Sequence, residues 1–109
     1  MKRKKILLTG ASGFIGKNII DILQKKNFII YCFVRKQKKN TKKIKYIKHD
    51  LLNYIKFDKT CDVIIHCSAK SPEKDKFNYT DYRNNILITK NLIEYSKKNK
   101  PKKIIYLSS

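Results

Sequence analysis

The chain contains only three glycines, Gly10, Gly13 and Gly16, and they stand at three-residue spacing in the stretch Thr9-Gly10-Ala11-Ser12-Gly13-Phe14-Ile15-Gly16. The apolar run Ile6-Leu7-Leu8 precedes them. Behind them the pattern turns helical, with Ile15, Ile19, Ile22 and Leu23 on one stripe and Lys17, Asn18, Asp21, Gln24 and Lys25 between. A strand, a tight glycine turn and a helix aim backbone N–H groups and a helix dipole at one point, which suits a phosphate. Gly10 lets the chain leave the strand sharply. Gly13 removes a Cβ where a pyrophosphate must come close, and Gly16 lets the first helical turn lie against the sheet. Phe14 and Ile15 open the helix, and Ser12 can offer a hydroxyl to the phosphates. The competing reading is a plain turn before a core helix, but strand, helix and spacing all agree on the anion cradle.

The length of 109 residues and mass of 13.0 kDa allow one domain, residues 1–109. Cys32, Cys61 and Cys67 are odd in number, and two lie in apolar strand-like runs. Reduced thiols in a cytoplasm fit better than a disulfide framework. No cysteine pair has zinc spacing, so no metal site is expected. No apolar stretch is long enough to span a membrane, and the run after Met1-Lys-Arg-Lys-Lys is too short for a signal peptide. The net charge of +19, densest at 2–5, 35–48 and 97–103, attracts polyanions. No recognition motif accompanies it, and aromatics do not interleave with the basic runs. Solvated lysine-rich faces are therefore expected, without specific nucleic-acid binding.

Along the chain, Asn27 stands where a left-handed helix cap is wanted. Residues 28–34 form a continuous apolar run, expected as a central parallel strand ending at Arg35. In a dinucleotide fold an acid at this strand end holds the ribose 2′-hydroxyl, whereas an arginine accommodates a 2′-phosphate. Arg35, with no acid nearby, favours NADP over NAD, unless it merely opens the basic loop. Residues 36–43 carry no apolar stripe and read as a mobile loop. A strand at 44–48 stops at His49-Asp50-Leu51, and a short turn or helix runs through Leu52, Tyr54 and Ile55. The strand 63–67 is followed by Ser68 and Ala69, small enough for a ligand to lie against the backbone. Residues 70–79, with Pro72, read as a surface connection. A helix over 80–98 carries Tyr82, Ile86, Thr89 and Ile93 on one stripe and Ile88, Leu92 and Tyr95 on the next, a broad face expected against the sheet. Residues 104–107 make a fifth strand. The result is an α/β, Rossmann-like parallel sheet in the order 3-2-1-4-5 with right-handed crossovers.

Assembled in this order, the residues resemble the N-terminal part of the extended short-chain dehydrogenase/reductase superfamily, the NAD-dependent epimerase/dehydratase family. The glycine motif is Thr9 to Gly16. The acidic-leucine pair that contacts adenine is matched by Asp50-Leu51. The small-residue motif after the fourth strand is matched by His66-Cys67-Ser68-Ala69, with Cys67 and Ser68 in place of the usual leucine and alanine. The asparagine-led helix is matched by Asn85 to Glu94, and the serine-rich end of the fifth strand by Leu107-Ser108-Ser109. The resemblance implies cofactor contacts from Gly10, Ser12, Gly13, Phe14, Ile15, Gly16, Arg35, Asp50, Leu51, Ser68, Ala69 and Asn85. Duller roles stand beside these: Asp50 capping its turn, His66 as a packed histidine, Asn85 bridging backbone, Ser68 and Ala69 leaving room.

The resemblance also implies a catalytic hydroxyl at Ser109, working with a tyrosine and a lysine four positions on. The chain has no Tyr-x-x-x-Lys: Tyr31 leads to Arg35, Tyr79 to Arg83 and Tyr95 to Asn99. The expected activity is hydride transfer between NADP or NAD and a nucleotide-sugar or similar hydroxyl/carbonyl substrate. This chain is then the cofactor-binding portion without the substrate domain, inactive alone, from a truncated frame or split gene. Its fifth strand, an exposed edge, would pair with a separately encoded C-terminal portion, or the chain would form a homodimer. A non-catalytic NAD(P)-binding module and a basic nucleic-acid-binding protein are the alternatives.

Overall fold

The computed structural model describes residues 3–10, 13–67 and 79–107. Strands β1 (Lys4–Thr9), β2 (Phe28–Val34), β3 (Ile44–Lys48), β4 (Val63–His66) and β5 (Lys103–Tyr106) form one sheet in the order β3-β2-β1-β4-β5. All pairings are parallel, with Thr9 opposite both Phe33 and His66. Helix α1 (Phe14–Gln24) joins β1 to β2, and α2 (Tyr79–Asn99) precedes β5. The expected sheet is therefore the one formed. β4 ends one residue earlier than expected, and β5 starts one residue earlier.

Strand alternation divides the core into two layers. On one face Leu7, Tyr31, Phe33 and Ile64 pack with Ile88, Leu92 and Tyr95 of α2. On the other, Ile6, Leu8, Ile30, Cys32 and Ile65 pack with Ile20 of α1. Each fully buried Leu or Ile contributes about 1.5–3 kcal/mol, so these layers fasten the helices to the sheet.

The helix faces depart from the periodicity. The buried positions of α1 are Gly16 and Ile20, whereas Ile15 and Ile22 are exposed. Gly16 faces inward, and the positions three to four residues on follow it inward. Likewise only the Ile88-Leu92-Tyr95 stripe of α2 is buried, while Tyr82, Ile86 and Ile93 remain about half exposed. The expected broad contact is thus one stripe wide. Asn27 is not left-handed either: α1 closes on Lys25 with helical φ/ψ, and Lys26 N donates to Leu23 O (3.0 Å). Among the described residues, the non-glycine positions at positive φ are Leu51 (66°) and Lys100 (46°), the latter closing α2 through Lys100 N to Ser96 O. No helix forms between β3 and β4; residues 51–53 are bends.

The two edges of the sheet are unlike. Lys43 O and His49 N bond to β2, so by alternation Ile44 and Tyr46 turn their peptide groups outward. The preceding loop covers them. Thr41 Oγ1 accepts from Ile44 N and Asn40 Oδ1 from Tyr46 N (2.7 Å), while Gln37 Nε2 donates to Tyr46 O (2.8 Å). The 36–43 segment, read from sequence as a mobile loop, is therefore fastened along β3. At β5, no hydrogen bond among the described residues reaches the outward peptide groups of Ile104 and Tyr106, and all four side chains are exposed.

Candidate functional site at the carboxyl ends of the strands

Because all five strands run the same way, Gly10, Arg35, His49-Asp50 and Cys67 all emerge at one edge of the sheet. Gly10 follows β1 with φ 76°, a conformation that suits glycine, so its expected turning role is what the backbone shows. Gly13 N returns a hydrogen bond to Gly10 O (3.1 Å), and Gly13 O accepts from Lys17 N (2.9 Å) to start α1. Gly13 caps the helix without any side-chain hydrogen bond, and no acidic residue lies in the first turn. The positive end of the dipole therefore meets no carboxylate, and the residues present fit an anionic phosphate. A Cβ built on Gly13 would sit 3.5 Å from Gly10 O, ordinary contact, so the turn itself does not demand glycine there. Phe14 and Ile15 are exposed beside the turn, and Gly16 is buried. Ser12, Ser68, Ala69 and Ser109 lie outside the described residues.

Arg35 is exposed at the end of β2, one residue past Val34, whose carbonyl accepts from His49 N (2.9 Å). The next turn is tightly held. Asp50 Oδ1 accepts from Leu52 N, His49 Nδ1 accepts from Leu51 N, and Asn91 of α2 donates to Leu51 O (2.7 Å). These bonds hold Leu51 at its positive φ, a strained conformation costing on the order of 1 kcal/mol. Asp50 is exposed and caps its own turn; the Leu51 side chain is buried among Phe33, Ile55 and Ile88. Asn85 lines a groove of about 440 Å³ with Tyr82, Ile86, Thr89 and Tyr106, and its carbonyl accepts from Thr89 Oγ1.

One cluster escaped the sequence reading. Thr9 is fully buried at the end of β1, and its Oγ1 lies 2.6 Å from Nδ1 of His66, which is 3% exposed at the end of β4. Cys67 N donates to the same hydroxyl (3.1 Å), and the His66 ring packs against Tyr106 at 5.1 Å. Burial lowers the His66 pKa and raises that of the Cys67 thiol. A neutral imidazole and a protonated thiol thus stand beside the glycine turn. Both Thr9 and His66 are last residues of adjacent strands, the one signal from which the pairing was readable.

Among the described residues no group of three His, Cys, Asp or Glu is placed to hold a metal ion, and no helix is long and apolar enough to cross a membrane.

The profile of the NAD dependent epimerase/dehydratase family matches residues 6–109. A curated relative, the decarboxylating sterol-4-alpha-carboxylate 3-dehydrogenase of Dictyostelium discoideum, is 30% identical over 90 residues, 76% of this chain and 27% of that protein. Among solved structures, a UDP-galactose 4-epimerase superposes with TM-score 0.80 at 21% identity, covering 96% of this chain and 38% of its own. A uronate dehydrogenase variant from Agrobacterium tumefaciens, complexed with NAD, gives TM-score 0.79 at 22% identity, with coverages of 99% and 42%. At such identities the structures speak for the fold. The chain spans well under half the length of these proteins.

Proposed function

The chain belongs to the NAD dependent epimerase/dehydratase family, and from that premise we propose that it is the cofactor-binding portion of an oxidoreductase acting on a nucleotide-sugar or similar hydroxyl/carbonyl substrate. The observation that carries the reading is the helix start at Gly13, with neither a side-chain cap nor an acid, beneath a positive-φ glycine. There the amides of the turn and the first helical turn would hold the diphosphate, with Ser12 adding a hydroxyl. Asp50 and the turn through Leu51 would border the adenine, and Ser68, Ala69 and Asn85 would line the path toward the nicotinamide. The cofactor supplies hydride chemistry when bound; the protein binds, orients and excludes water.

The hydroxyl of Ser109 would orient the substrate. No tyrosine in the sequence is followed four residues on by lysine. In our reading, the 109 residues alone bind cofactor without turning substrate over. The part of a family member that this chain does not span would complete the site, and the bare edge of β5 is where it would pair. Cofactor-induced thermal stabilisation without turnover tests this; turnover by the isolated chain would refute it.

Arg35 supports NADP over NAD, since a guanidinium at the end of β2 suits a 2′-phosphate and no acid competes. Titrating both cofactors against the wild type and Arg35→Asp checks the preference. The substitution should weaken NADP by about tenfold or more and leave NAD within about threefold. Unchanged relative affinities would reduce Arg35 to a loop residue.

A further inference from the structure

The Thr9–His66–Cys67 cluster fixes a proton. Thr9 Oγ1 already accepts the Cys67 N–H at 3.1 Å, and Thr9 is wholly buried. Were His66 Nδ1 also a donor, the hydroxyl would accept twice and its own hydrogen would meet no acceptor among the described residues. With Nδ1 as acceptor, the hydroxyl donates across the 2.6 Å contact and each group is satisfied. The neutral ring then carries its hydrogen on Nε2. Nε2 has no hydrogen-bond partner among the described residues, and none of their buried side-chain N or O atoms lacks one, so Nε2 is not sealed in the core. The ring stands between Thr9 of β1 and Tyr106 of β5, at the carboxyl ends of the strands.

We propose that Thr9 is a positioning residue: it locks His66 as the Nε2–H tautomer, so that a fixed hydrogen-bond donor faces the crevice beside the glycine turn, available to an acceptor oxygen of the bound dinucleotide. The last clause rests on the cofactor reading above. Thr9 thereby ties the phosphate turn to the segment leaving β4: its hydroxyl holds the ring and the Cys67 amide, and its carbonyl is 3.2 Å from the same amide. A valine here keeps the shape and loses the donor.

The test is ¹H–¹⁵N correlation spectroscopy of the histidine side chains, with His66 assigned against His49→Gln, on the wild type, Thr9→Ser and Thr9→Val, followed by NAD titration of each. The tautomer is read in the free protein, independently of whether NAD binds. We expect the Nε2–H pattern in the wild type and the serine variant, and a mixed or protonated ring in the valine variant. On NAD addition the wild-type Nε2–H resonance should shift, with affinity falling about 2- to 10-fold in Thr9→Val and restored in Thr9→Ser. An Nδ1–H ring in the wild type overturns the lock, and that spectrum decides even if the valine variant fails to fold. NAD binding that leaves Nε2–H unmoved overturns the donor role alone, and no NAD binding at all overturns the donor role together with the cofactor reading.

Discussion

His66 enters the core uncharged, and that has a consequence for stability. Burial lowers its pKa below the ordinary 6.5, so below that pH the unfolded chain binds a proton that the folded chain resists. The stability due to the neutral ring is complete above about pH 6.5 and declines as pH falls through the folded-state value. Urea unfolding between pH 7.5 and 5.5 should show the midpoint falling with pH. The slope should be shallower in His66→Gln, which carries no titrating ring; parallel profiles would show that His66 titrates as it does unfolded. At this scale the sequence was partly readable. The turn at Gly10 and the inward face of Gly16 are announced by spacing and by what flanks them. The Thr9–His66 bond spans 57 positions and exists only through the register of β1 against β4.

Among the elements, strands were more legible than helix faces. The runs 28–34 and 63–65 are apolar on both sides, as a sheet covered by helices requires, and their shortness and β-branched residues favour strands. The two helices carry more apolar residues than one face can bury, so periodicity alone could not choose between Ile88-Leu92-Tyr95 and Tyr82-Ile86-Ile93; the sheet beneath chose. The fastening of residues 36–43 was illegible for another reason. Gln37, Asn40 and Thr41 look like loop composition, yet act as substitutes for a neighbouring strand. Asn40→Ala should lower stability by about 0.5–1.5 kcal/mol and speed amide exchange at Tyr46, leaving β1 and β4 amides unaffected. Unchanged exchange at Tyr46 would mean that water holds that edge as well as Asn40 does.

At the scale of the whole molecule, 27 basic residues face 8 acidic ones. The ion pair Lys97–Glu94 at 3.6 Å is exposed and contributes little. The fold stands on its two apolar layers, and the surplus charge attracts anions in general. The proposed function requires that a diphosphate be held at the glycine turn, at the carboxyl ends of the strands. Gly13 has φ −78° and ψ 169°, which alanine adopts freely, and room for a Cβ at 3.5 Å from Gly10 O. Calorimetric titration of NAD into wild type and Gly13→Ala, beside their urea unfolding curves, tests the claim most directly. Unfolding free energies should lie within about 0.5 kcal/mol of each other, and the affinity should be at least about tenfold weaker for the variant. Equal affinities, or no binding by the wild type, would contradict it.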